Sequence, residues 1–321
     1  MIKNKTVLIF GAGVSHPYGY PIGQELVNQI IESLEYGKFN FLLNYGYTKF
    51  YLNRFASDLE SSSLPSIDIF LENRQDYFEI GKICIVAQLL SKEDPNIFSL
   101  ETAKKEGIYS KIFYEMMNGG NWERIKENKI AFVTFNYDRS LEHFLFKSIK
   151  ASSGQSDERV SEIVNGIELL HFYGSLPKLN WQALDGLPYG CFYDMENIST
   201  NFDAIKKASE GIVILGEKQV KFENSEIAFD KLTEAERIVF LGFGYHEMNI
   251  KRLRLDELMI FDKDLPNNFG LFPNRRQCVF RGNAFGLGEA KRKEISQRLK
   301  IYLPTISLRD NAFIDENILL N

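Results

Sequence analysis

Apolar positions along this chain follow two rhythms, and their alternation predicts the architecture. Short continuous apolar bursts occur at Lys5 to Phe10, Ile130 to Phe135, Ile167 to Phe172, Ile212 to Leu215, Arg237 to Phe243 and Cys278 to Phe280. Uninterrupted runs of this kind, bounded by turn residues, are the mark of strands buried on both faces of a parallel sheet. Between the bursts the spacing turns helical. Leu26, Ile30 and Leu34 recur at i, i+4 and i+8 within Ile22 to Leu34. From about 39 to 129 strand character disappears, and segments such as Phe70-Leu71-Glu72-Asn73 and Tyr77 to Leu90 predict a helical insertion packed on the sheet. Ser66 stands where a helix entering at Ile67 needs its N-cap. Ala151 to Asn165 reads as polar and turn-rich, and about 177 to 207 as irregular and aromatic, so both are expected to be insertions on the rim. The pattern predicts an α/β fold: a Rossmann-like, doubly wound, mostly parallel sheet with helical insertions, in a single domain over 1–321.

Composition narrows this picture. In 321 residues, 44% hydrophobic and 25% charged side chains suffice for a full core. No apolar run reaches membrane-spanning length. Met-Ile-Lys-Asn-Lys leads straight into a strand without a cleavable signal pattern. The three cysteines Cys84, Cys191 and Cys278 are isolated, which excludes a zinc ribbon or disulfide framework as the organising device and fits a reducing cytoplasm. A net charge of −5 argues against nucleic acid as a direct partner. The basic cluster Lys291-Arg292-Lys293, with Arg298 and Lys300, is interleaved with Glu289 and Glu294 and reads as a solvated helix face. The 26 phenylalanines predict aromatic packing between helices.

Doubly wound sheets bind ligands beyond the carboxyl ends of their strands, so those ends carry the candidate chemistry. The first strand delivers Gly11-Ala12-Gly13-Val14-Ser15, then Gly19-Tyr20-Pro21; the second delivers Asn136-Tyr137-Asp138. The third delivers His171, followed by Tyr173-Gly174-Ser175, and the late strand delivers Gly242-Phe243-Gly244-Tyr245-His246 with Asn249 beyond. A Gly-x-Gly turn after a strand permits close backbone approach to a phosphate. Asn136 offers a donor and an acceptor from one side chain, and His171 a proton acceptor working near neutral pH. Asp138 either orients Asn136 or caps the helix starting near Ser140. His143 falls in an amphipathic helix and reads as structural, and Asp68 with Glu72 as helix capping and ion pairing.

In order and spacing these strand ends resemble the sirtuin-like family, in the branch found in prokaryotic antiphage defence proteins. The resemblance runs over most of the chain. Gly11-Ala12-Gly13-Val14-Ser15 resembles the family's first phosphate loop, Asn136-Tyr137-Asp138 its Asn-x-Asp element, and His171 with Gly174-Ser175 its histidine-glycine element. Phe240 to Gly244 with Asn249 resembles the loop that receives the adenosine half of NAD. By analogy His16 and His246 fall in ligand-facing loops.

The departures are equally specific. Deacylating sirtuins carry a four-cysteine zinc module between the histidine and the late glycine loop, where this chain has only Cys191. After the Gly-x-Pro of the first loop they place an aromatic residue and an arginine, where this chain has Gly23 and Gln24. The resemblance therefore implies NAD+ as substrate, with no metal and with water as acceptor. The activity implied is an NAD+ glycohydrolase releasing nicotinamide and ADP-ribose. Asn136, His171 and Asp138 form its catalytic set; Gly11, Ala12, Gly13, Ser15, Pro21, Asn136, Gly174, Gly242, Gly244 and Asn249 form its nucleotide-binding set. Antiphage defence by NAD+ depletion (abortive infection) further implies a regulatory protein partner encoded nearby, a homo-oligomer, or both, and no membrane association. Two other readings stay open: an NAD or ADP-ribose sensor without catalysis, and a zinc-independent deacylase or ADP-ribosyltransferase.

Overall fold

The computed structural model describes residues 1–98, 107–117, 122–193, 201–214, 222–258, 278–284, 286–301 and 303. Five of the apolar bursts form strands: β1 (Thr6–Phe10), β2 (Ile130–Thr134), β3 (Glu168–His171), β4 (Arg237–Leu241) and β5 (Val279–Gly282). They make one all-parallel sheet in the order β3-β2-β1-β4-β5. β1 and β2 are buried at every position, as an apolar run covered on both faces requires. The order is that of a doubly wound sheet, with its switch point between β1 and β4.

Register brings the candidate loops together. Phe10 pairs with Thr134 and with Leu241, and Thr134 pairs with His171, so four strands end level with one another. Whatever follows Phe10, Thr134 and Leu241 therefore emerges beside His171 at one edge of the sheet.

Helices cover the sheet: α1 (Gly23–Glu35), α2 (Lys49–Ser61), α3 (Ile67–Asn73), α4 (Phe78–Leu90) and α5 (Ile108–Met116) lie between β1 and β2. The region from about 39 to 129 thus holds helices and connecting segments and no strand among the described residues. α4 is buried almost all round, because Ile80, Ile83, Cys84, Ile85, Val86, Ala87 and Leu90 leave no polar face. Ser66 caps α3, its Oγ accepting from the Ile69 N–H at 3.4 Å. After β2 come α6 (Ser140–Ser153) and α7 (Asp157–Asn165), then α8 (Phe202–Ser209), α9 (Phe222–Glu234), α10 (Glu247–Arg252) and α11 (Glu289–Arg298). The phenylalanines pack between helices as expected, for example Phe55, Phe70 and Tyr77 with ring centroids 5.0 to 6.2 Å apart.

Three expectations need correction. Ile212 to Leu215 is not a strand over its described residues. Ile212 makes one antiparallel bridge with Gly174, flanked by hydrogen bonds from Ser175 to Gly211 and from Val213 to Tyr173. Its apolar character comes from burial of Ile212 and Ile214 beneath that crossing. Ala151 to Asn165 is mostly helical: α6 continues to Ser153, and Ser156 caps α7 by accepting from the Arg159 N–H. Its polar look hides a buried stripe of Val160, Ile163 and Val164. The irregular stretch likewise gives way to helix at Phe202, where Phe202, Ile205 and Ala208 face inward.

Candidate active site at the carboxyl edge

The glycine loops after β1 and β4 meet at the switch point with no room between them. A Cβ on Gly11 would lie 2.5 Å from the Gly242 carbonyl oxygen, and one on Gly13 2.8 Å from the Gly242 Cα. Gly242 itself has φ +57°, a left-handed conformation suited to glycine. Gly13 N–H donates to Gly242 O, Gly11 N–H to Leu241 O, Val14 N–H to Gly11 O and Ser15 N–H to Ala12 O. These four N–H groups, expected to cradle phosphates, already have carbonyl partners. The Gly-x-Gly pattern thus serves loop-on-loop packing in this conformation, with Ala12 the exposed residue of the turn. Asn283 Oδ1 secures the second loop by accepting from Gly242 N–H at 2.8 Å.

Asn136 leaves the end of β2 and turns back onto the first loop. Its Nδ2 donates to Gly11 O at 3.1 Å and to Ser15 Oγ at 3.0 Å. Ser15 Oγ is joined to Tyr109 Oη at 3.4 Å, Tyr109 Oη to Ser140 Oγ at 2.9 Å, and Ser140 Oγ donates a short bond to Asp138. Ser15, Tyr109, Ser140 and Asp138 are all buried. Asp138 also accepts from the Ser140 N–H at 3.0 Å, which opens α6, and burial raises its pKa above the usual carboxylate range. Asp138 thus bonds the first residue of α6 and also the Ser15 hydroxyl, to which Asn136 donates. Tyr109 comes from the helical region and stacks on Tyr18 at 4.4 Å.

His171 ends β3 with both ring nitrogens engaged. Nδ1 donates to the Asn136 backbone carbonyl at 2.8 Å, and Nε2 lies 2.9 Å from Glu142 Oε1. Burial alone would lower the ring's pKa; the Glu142 carboxylate, reinforced by the Asn136 carbonyl and Asp138, outweighs it and raises the value. Asn136, His171, Ser15, Gly11 and Asp138 therefore form one bonded group.

The remaining candidates are distributed around it. Asn249 Oδ1 accepts from Tyr173 Oη at 2.7 Å, and Arg252 donates to the same hydroxyl at 3.0 Å. Gly174 has φ +77°, and its Cβ would lie 2.1 Å from Gly211 O, so it serves the crossing with Ile212. Pro21 is buried and Gly244 is exposed in open space. Gly23 lets α1 approach the turn into α3, since a Cβ there would lie 2.9 Å from Pro65 O. Gln24 is exposed and bonds Asn28. His143 stacks on Tyr189 at 4.0 Å, and burial with Lys147 and Arg139 nearby pushes its pKa down to about 3, so it is a neutral structural residue. His16 pairs with Glu25 in solvent, and His246 stands exposed before α10.

Sequence reasoning missed Glu142 and Tyr109 and gave Asp68 a helix-capping and ion-pairing role. Asp68 is not an exposed ion-pair partner: it accepts from Tyr137 Oη at 2.7 Å, and burial raises its pKa. The signal for Glu142 was its position, an acid in the first turn of the helix that directly follows Asn136-Tyr137-Asp138. Among the described residues no group of three His, Cys, Asp or Glu stands close enough to hold a metal ion, and no helix is long and apolar enough to cross a membrane.

No family model matches this sequence, and no curated relative matches it. Among solved structures the chain is similar to Sir2 in complex with the inhibitor EX-527, 2′-O-acetyl-ADP-ribose and deacetylated p53 peptide. That likeness has 12% identity and a TM-score of 0.40, over 98% of this chain and 94% of that one.

Proposed function

We propose that the carboxyl-edge site binds NAD+ and hydrolyses its nicotinamide–ribose bond. The observation that carries the reading is the direct union of Asn136 and His171, from different strands, on the first glycine loop: His171 Nδ1 to Asn136 O at 2.8 Å, Asn136 Nδ2 to Gly11 O at 3.1 Å. In the reaction nicotinamide leaves with the bonding pair and becomes neutral, so no general acid is required. Water attacks C1′ of the oxocarbenium-like ribose and loses one proton. Asn136 suits orientation of the ribose hydroxyls or that water, and His171 suits acceptance of the proton. Gly11, Ala12, Gly13, Ser15, Pro21, Gly174, Gly242, Gly244 and Asn249 are proposed to frame the dinucleotide, with Ala12 and Gly244 on the exposed side. Asp138 acts by positioning.

In the cell this activity fits an NAD+-depleting effector of antiphage defence in the cytoplasm, held off until a partner protein or self-assembly switches it on. The test is nicotinamide release from NAD+ by purified protein, alone and with the product of a neighbouring gene. His171→Ala and Asn136→Ala are each expected to lose about 100-fold or more; unchanged rates in both sink the mechanism. A second reading, binding without cleavage, draws on the engaged nitrogens of His171 and the satisfied N–H groups of the first loop. Calorimetric binding of NAD+ with no nicotinamide released under any activating condition would favour it.

A further inference from the structure

We propose that Glu142 is a positioning residue of this site: its Oε1 fixes the orientation of the His171 ring and the proton on Nε2, so that proton handling belongs to a His171–Glu142 pair. The catalytic meaning of the pair rests on the NAD+-cleaving reading; its existence does not.

The Asn136 carbonyl is an acceptor without a hydrogen, so His171 Nδ1, 2.8 Å away, carries one. Nε2 then faces Glu142 Oε1 at 2.9 Å, and two lone pairs do not meet at that distance, so a second proton lies between them. The pair is well shielded, with side chains 11% and 9% exposed, and Glu142 Oε2 is buried without a hydrogen-bond partner. A buried carboxylate with one oxygen unsatisfied is costly, and the facing imidazolium is what compensates.

The groups around the ring are few. The loop after β2 supplies the Asn136 carbonyl and Asp138, α6 supplies Glu142, and α9 supplies the uncharged Asn224, which donates to the His171 and Phe172 carbonyls. His171 is therefore held as a proton donor in this state. A base role requires the pair to release its shared proton to bulk water, and Glu142 sets the pH at which that happens.

The test is a pH titration of 15N-histidine-labelled protein by NMR. The chain has four histidines, and His171 is assigned by its disappearance in His171→Gln. Wild-type His171 is expected to show two N–H groups at pH 7, while His143 stays neutral. Glu142→Gln is expected to move the His171 midpoint down by about one pH unit or more, and Glu142→Asp, which keeps the charge, to restore most of it. The rising limb of nicotinamide release against pH should shift the same way. A neutral wild-type His171 at pH 7, or one midpoint shared by wild type and Glu142→Gln, overturns the proposal. The wild-type spectrum decides even if Glu142→Gln does not fold. If the titration behaves as expected and no nicotinamide is released, the NAD+ reading fails and the pair stands.

Discussion

At the amino ends of the strands, Lys5, Lys129, Lys231, Glu168, Asp230 and Glu234 line an open groove of about 680 Å³; at the carboxyl ends, the half-buried Asn136 and His171 are bonded to one another and to the buried Ser15, Tyr109, Ser140, Asp138 and Glu142. The groove is open to solvent, and so is its Lys5–Glu234 ion pair. Lys5 reaches Glu234 at 3.0 Å with both side chains more than half exposed. Charges in water interact weakly. Groups withdrawn from water depend on their partners, and there the pKa directions change for His171 and Asp138. The difference teaches that at this sheet the perturbed titratable groups lie where burial and bonding coincide, away from the open groove.

The strongest way to break the contrast is to force the two carboxyl-edge loops apart. Gly11→Ala places a methyl 2.5 Å from Gly242 O and 2.8 Å from the Phe243 Cα, both backbone atoms that cannot swing away. A cost of about 3 kcal/mol, the upper range for overpacking, is expected. Gly244→Ala is the control, since a Cβ there meets nothing within 4 Å. Urea denaturation of both variants checks this, and equal midpoints would mean the loops are not packed as described.

A smaller effect follows from pH. The folded-state pKa of His171 lies above its unfolded value of about 6.5. Its contribution to stability is therefore complete below about pH 6.5 and is lost as pH rises through the folded value. Asp138, also raised, acts with the same sign at lower pH, its contribution fading as pH climbs from about 3.9 to its folded value. Unfolding free energies of wild type and His171→Gln, measured from pH 6 to 9, should converge as pH increases. A constant gap across that range would show that His171 does not titrate differently on folding.

Much of this edge was legible in the sequence. Strand-length apolar runs located β1 to β5, and the residues after them gave Asn136 and His171, which register then set side by side. What was not legible came from three-dimensional crossing. Glu142 and Tyr109 sit on helices, where a lone polar residue in a periodic pattern looks like a solvated position until the helix face it occupies is known. Gly11 and Gly13 were readable as places needing no side chain. What they avoid is the Gly242 backbone, a contact between positions more than two hundred residues apart in the chain.

The smallest expected effect tests the other end of the comparison. Lys5→Ala removes the ion pair to Glu234, in which both side chains are more than half exposed. Exposed pairs of this kind contribute about 0 to 1 kcal/mol, and salt screens them further. The variant should therefore lower stability by less than about 1 kcal/mol in urea denaturation, the effect shrinking in high salt, with nicotinamide release unaltered. If Lys5→Ala instead abolished release, the open groove would be coupled to the reaction through β1. Desolvation could then no longer be what separates the two ends of the sheet.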